Sequence, residues 1–224
     1  MSFRMSGRAE WPDAEPTPIS LSGEYRPETD HVSAEMRFEA LQPAAVAALE
    51  PRLGRLSDLD LPVSGTVELE TSLDGSGMGG NARLTLGAGK VLLPEVNPEP
   101  LTVAGGSLTL NVAPDAEWVS ADGSLDIEQA LLAVKARASR DRAGYALIVD
   151  AAVTNFAVNS IKDFWPADVS DGARAWVTEN LVNGQVTSAT LRAEGWVDST
   201  DPAINELDTL SGTIEFQGVE THYF

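Results

Sequence analysis

Stretch after stretch of this chain alternates apolar and polar residues one for one, and that period of two constrains its fold most. Val67, Leu69 and Leu73 alternate with Glu68, Glu70 and Ser72. Ala82, Leu84 and Leu86 alternate with Asn81, Arg83 and Thr85, and Leu108, Leu110 and Val112 with Ser107, Thr109 and Asn111. Leu125 and Ile127 sit between Ser124, Asp126 and Glu128, while Tyr145, Leu147, Val149, Ala151 and Val153 form a longer stripe. Side chains along a strand point alternately to opposite faces, so each stretch has one apolar and one wet face. Asp74-Gly75, Gly105-Gly106 and Asp122-Gly123 read as turn signals between the stretches. The pattern predicts an antiparallel meander of roughly ten strands.

Two helices interrupt it. Pro43 to Glu50 opens with proline at the first helical position and is closed by Pro51. A second helix covers about Asp171 to Val182, with Ser170 as N-cap and Gly184 as a left-handed stop. Ala173, Trp176, Val177 and Leu181 share its predicted apolar face. The two helices occupy equivalent places in a weak internal repeat. One unit runs Phe38–Leu41, helix, Pro51, then Pro62-Val63-Ser64-Gly65; the other runs Asn155-Phe156, Ile161–Phe164, Pro166, helix, then Asn183-Gly184 into Val186. The organisation read from this is a lead-in segment (1–18), a first strand-helix-strand unit (19–65), a β-meander (66–154) and a second unit with a Trp-Pro corner (155–210). The opening of a further unit follows (211–224).

Composition excludes several function classes. Thirty-four acidic residues against 15 Lys and Arg give a net charge of −19, which repels nucleic-acid phosphates and anionic lipid headgroups alike. There is no cysteine, so disulfides, thiol nucleophiles and cysteine metal sites are excluded. No run approaches the ~20 apolar residues that span a bilayer, and the start lacks the apolar core of a signal peptide. The strand pattern still running at Ile214 and Phe216 suggests an excised piece of a longer array.

No motif points to catalysis. Gly75-Ser-Gly-Met-Gly-Gly80 superficially suggests a phosphate loop, but a strand (Asn81 to Leu86) follows where a helix N-terminus is required. It reads as a hairpin loop. There is no nucleophile elbow, Walker lysine or zinc-protease helix, and His31 and His222 make no metal site with the ligands at hand. Asp58 with Asp60, or Asp122 with Asp126, fit turns and wet faces better than acid/base pairs. No cofactor or metal is expected. Trp165 and Trp176 read as anchors of the Trp-Pro corner at Pro166, and Arg174 as a structural partner near them.

At Phe164-Trp165-Pro166, Ala173-Arg174-Ala175-Trp176-Val177 and Asn183-Gly184-Gln185-Val186 the sequence resembles the AsmA-like proteins, and most of all their YhdP-type branch. Leu41-Gln-Pro to Leu61-Pro-Val-Ser-Gly65 is similar to the same family's preceding unit, and Phe216 to Tyr223 to the opening of a next one. The resemblance implies a long, curved antiparallel β-sheet with an open, taco-like apolar groove. It implies a periplasmic location, an inner-membrane anchor outside this sequence, neighbouring β-groove units in the same chain, and phospholipid as cargo. The groove would be lined by Val67, Leu69, Leu84, Leu86, Leu108, Leu110, Leu125, Ile127, Leu147 and Val149, with Trp165, Pro166, Arg174, Trp176 and Gly184 as the structural motif. Periodicity alone ranks a closed sandwich ahead of an open groove, because any half-buried sheet alternates in this way. A β-rich spacer or protein-interaction module without lipid is the other reading.

Overall fold

The computed structural model describes residues 1–11, 14–94, 97–127, 130–165, 171–200 and 205–221, and it is mainly β. The chain begins with β1 (Ser2–Trp11), β2 (Ala14–Arg26) and β3 (His31–Leu41). It passes through α1 (Pro43–Ala47), a 3-10 segment (Pro51–Asp58) and the short β4 (Leu59–Asp60), then returns in β5 (Val63–Ser72) and β6 (Gly79–Leu86). A hairpin of β7 (Gly89–Leu93) and β8 (Asn97–Val103) leads into β9 (Gly105–Val112), β10 (Trp118–Ile127), β11 (Ala130–Asp141) and β12 (Gly144–Ala157). Helices α2 (Ile161–Phe164) and α3 (Asp171–Asn180) follow, and then β13 (Leu181–Val182), β14 (Gln185–Asp198), β15 (Asn205–Gln217) and β16 (Glu220–Thr221).

Eleven strands form one antiparallel sheet in the order β1-β2-β3-β5-β6-β9-β10-β11-β12-β14-β15, with β1 and β15 as its two edges. The sheet is not closed. Its spatial order is the chain order, with β4, β7 and β8 set aside in a small three-stranded sheet and β13 paired with β16. The helices, the 3-10 segments Pro51–Asp58 and Val158–Ser160 and the small sheets fall at one end of the long strands. Short turns at 27–30, 73–78, 113–117 and 142–143 close the other end. Asp30, Gly75, Gly77, Asp115, Ala116 and Arg142 take positive φ in those turns, and Asp74 fixes one of them by accepting from the Ser76 amide and hydroxyl.

Both buried clusters among the described residues lie under the helical end. Leu61, Val91 and Val103 from the small sheet pack on Phe38, Val63 and Ile127 of the large one. Val158, Ile161 and Leu181 pack on Ala130, Phe156 and Val186. Phe164 touches both clusters and sits 4.9 Å from the Phe156 ring, so the two caps join into one continuous cover.

The internal repeat is visible in the topology. Cap, β4, β5, β6, β7 match cap, β13, β14, β15, β16, and in each set the two-residue strand pairs with the last one. Both strands that enter a cap carry a left-handed residue near their end, Ala40 in β3 and Asn155 in β12. The remaining boundaries differ from expectation in instructive ways. The first helix stops at Ala47, and Pro51 opens a 3-10 segment rather than closing the helix. Residues 1–18 include β1 and the start of β2, which are full members of the sheet. Asp122-Gly123 lies inside β10, not in a turn; Gly123 is there because Leu108 of β9 leans over it, with a hypothetical Cβ only 3.2 Å from the leucine Cδ1. Leu73 lies beyond β5 and is exposed.

The second predicted helix ends at Asn180, and Gly184 does not cap it. Asn183 and Gly184 both take positive φ in the turn between β13 and β14. A Cβ on Gly184 would stand 2.6 Å from the carbonyl oxygens of both Gln217 and Gly218. Gly184→Ala is therefore expected to cost about 2–3 kcal/mol and to lower Tm by roughly 5–10 °C. Gly172→Ala, in open space on α3, should leave Tm unchanged or raise it slightly; thermal unfolding of the two variants side by side checks the assignment.

Candidate functional site

Cross-strand partners point to the same face of a sheet, so the register can be read as rows running from edge to edge. One row is Met5, Leu21, Met36, Val67, Ala82, Leu110, Ala121, Ala136, Val149, Ala193 and Leu210. The next row toward the turns is Phe3, Gly23, Ala34, Leu69, Gly80, Val112, Val119, Ala138, Leu147, Gly195 and Leu207. The next toward the caps is Gly7, Ile19, Phe38, Gly65, Leu84, Leu108, Gly123, Val134, Ala151, Leu191 and Gly212. Three rows of eleven contain no polar side chain. Ten strand spacings of about 4.8 Å and two row spacings of about 6.8 Å make this floor roughly 48 Å by 14 Å. Phe38 of these rows belongs to the first buried cluster and Ile19, Met36, Val67 and Leu84 pack against it, while the other residues of the three rows are in neither cluster.

All ten residues expected to line a groove stand on this face. Leu69 and Leu147 are in the turn-side row, Val67, Leu110 and Val149 in the middle one, and Leu84 and Leu108 in the cap-side one. Leu86, Leu125 and Ile127 lie further under the caps, where Ile127 is only 3 % exposed. Leu108, Leu110, Leu147 and Val149 belong to neither buried cluster. Toward the turns and edges the floor opens further: Leu69 is 50 %, Met5 58 % and Leu207 64 % exposed. Sequence reading missed the contributions of β1–β3, β14 and β15. The signal was present at Phe3/Met5, Ile19/Leu21 and Leu191/Ala193, but prolines, glycines and alanines diluted it.

The floor is low in relief because leucines lie down over glycines. A methyl group added at Gly65 would fall 2.8 Å from Leu84 Cδ2, at Gly106 2.9 Å from Leu125 Cδ2, and at Gly80 3.2 Å from Leu69 Cδ2. Each leucine is thus spread along the sheet instead of standing up from it, and the glycine backbone beneath is covered without forming a pit.

The opposite face is polar, with interleaved charges. Arg37, Arg83, Asp122, Lys135, Asp150 and Arg192 share one of its rows. Arg192 holds Asp150 and Glu194 at 2.9 Å, Lys135 reaches Asp122 at 3.4 Å, and Arg83 reaches Glu68 at 3.5 Å. These pairs are solvent-exposed and contribute little to stability. Glu24 is held below the usual carboxylate range by the hydrogen bond and then the charge of Arg26. Asp74 is lowered by its bonds from Ser76. Two hollows of about 600 and 360 Å³ are both lined by rows of this polar face, one by Glu24, Glu35, Glu68 and Glu70 with Ser2 and Ser22, the other by Lys135, Asp150 and Arg192.

The Trp-Pro motif is divided. Trp165 packs on the core beneath α2 and α3. Arg174 donates to the carbonyls of Trp165 and Lys162, at 3.3 and 3.4 Å, tying α3 to the end of α2. Trp176 does not share the helix's buried face: it is 47 % exposed and Ala173 is exposed too, whereas Val177 and Leu181 face the core. One residue of offset turns a helical side chain by about 100°, which takes Trp176 out of the interface. Pro166, Ser170 and His222 lie outside the described residues. Among the described residues no three acidic or histidine side chains converge as metal ligands, and no helix is long and apolar enough to cross a membrane. Comparison with protein families, with curated proteins and with solved structures finds no match.

Uncovered and covered parts of this face should respond differently to polarity. Leu69→Asn is expected to cost under about 1 kcal/mol, whereas Ile127→Asn, under the cap, should cost about 3–5 kcal/mol. Urea midpoints of the two variants measure the contrast; equal losses would mean that the floor is covered.

Proposed function

We propose that this chain is a segment of a bacterial envelope protein of the AsmA-like kind, located in the periplasm, whose apolar β-groove shields or conducts phospholipid acyl chains between inner and outer membrane. The observation that carries this reading is the part of the three apolar rows, with Leu108, Leu110, Leu147 and Val149 and the exposed Met5, Leu69 and Leu207, that lies outside both buried clusters. Each aliphatic side chain there gains on the order of 1.5–3 kcal/mol when it leaves water. Acyl chains supply such cover without a shape-matched partner surface, and the tiled leucines offer them no deep pit in which to lodge. Movement along the floor then needs no catalytic residue and no cofactor, only a path of even affinity. The resemblance in the Trp-Pro, Arg-x-Trp and Asn-Gly segments supports the same family. Flanking β-groove units of the same chain, and an inner-membrane anchor, belong to this proposal.

Photo-crosslinking in cells tests it, with the probe placed in the full-length protein at Leu108 or Leu147 and, on the polar face, at Thr109 or Ile148. Lipid adducts are expected at Leu108 and Leu147 only. Equal labelling of both faces, or protein adducts in place of lipid, would make a β-rich spacer or interaction module the better account.

A further inference from the structure

Resting on that reading, we infer that the lipid headgroup sits along the turn-side margin of the floor, and that this margin admits zwitterionic, ammonium-bearing headgroups while disfavouring net-anionic ones. The placement follows from asymmetry. One long flank of the floor is closed by the caps, which Phe164 joins into a continuous cover; the other runs out at the turns, where Leu69 and Leu207 are half exposed or more. From cap-side row to turn-side row is about 14 Å, close to the roughly 15 Å of one leaflet's hydrocarbon. An acyl chain lying along the strands therefore has its methyl end against the caps and its polar end at the turns.

Those turns are acidic. Glu28, Asp30, Asp74, Asp115 and Glu117 are exposed in them, and Asp198 ends the strand before the last one. The carboxylates of Asp30, Asp74 and Asp115 accept hydrogen bonds from neutral groups, Tyr25 Oη, Ser76 and the Gly77 amide, which hold them in place without cancelling their charge. Two of the cations at the same margin are paired, Arg26 with Glu24 at 3.0 Å and Arg142 with Asp141 at 3.6 Å. Arg140 donates to the neutral Asp115 backbone carbonyl and keeps its charge, which the five exposed turn carboxylates outnumber. A phosphate with an ammonium beside it finds an attractive partner at such a margin; a phosphate with only hydroxyls beside it meets repulsion.

The test offers the 224-residue chain vesicles of phosphatidylcholine carrying a trace of phosphatidylethanolamine or phosphatidylglycerol, each labelled on the same acyl chain, and measures label extracted into the soluble fraction. Extraction of phosphatidylethanolamine is expected to exceed that of phosphatidylglycerol by about tenfold at low salt, and by about twofold or less near 1 M salt, where charges are screened within about 3 Å. The double variant Glu28→Lys with Glu117→Lys, both at exposed turn positions, should shrink the preference at low salt. Equal or greater extraction of phosphatidylglycerol at low salt, or a preference indifferent to salt, overturns the headgroup inference while leaving the lipid-bearing floor intact. Extraction of neither lipid at any ionic strength overturns the floor's proposed function and this inference with it.

Discussion

Cross-strand register is the constraint on which everything else in this molecule depends. Side chains repeat every two residues, so a slip of one residue in any of the ten pairings would carry an apolar row onto the polar face and a charged row onto the floor. Register is held from both sides at once. On one side leucines nest over glycines of the neighbouring strand; on the other, interleaved cations and carboxylates meet their partners directly opposite, as Arg192 meets Asp150. Neither device is strong alone. Together they leave one arrangement in which the leucines have glycines under them and the charges have opposites beside them.

The same register explains why the core is confined to one end. A single sheet has only one apolar face to bury, and the chain supplies cover for it only where insertions occur: α1 with its 3-10 segment, the β7–β8 hairpin, and α2 with α3. These insertions are too short to reach across strands of up to 14 residues. A fold organised this way keeps its tightest packing, around Val103, Val158 and Val186, away from the surface offered to a ligand. The stability of the molecule and the composition of its floor are thereby separated. Alanines and glycines can line the floor because nothing has to pack against them.

Much of this was legible in the amino-acid sequence, because alternation reports strand faces directly. Leu84/Leu86, Leu108/Leu110 and Leu147/Val149 identified the apolar face without any knowledge of which strands pair. What alternation does not carry is the identity of the cover. A sandwich and an open floor produce the same stripe, and the difference lies in how much chain is left over to pack on it. Small residues caused the local errors. Gly123 reads as half of a turn but is a relief cut for Leu108, and Gly184 reads as a helix stop but turns the chain between β13 and β14 beside Gln217 and Gly218. Trp176 misled for another reason: large aromatics are usually buried, and only the helix's actual packing on Val177 and Leu181 leaves it outside.

Because strand order in the sheet follows order along the chain, each long strand pairs only with the strands immediately before and after it among the eleven. Nothing is threaded, and no pairing waits for a distant part of the polypeptide. Such a sheet can assemble hairpin by hairpin in the order in which residues become available, and it has an internal length scale of one strand rather than one domain. A hairpin added or removed at either margin changes how far the floor extends while leaving every other pairing as it was. Length, in this architecture, is a quantity that can drift without the fold being reinvented.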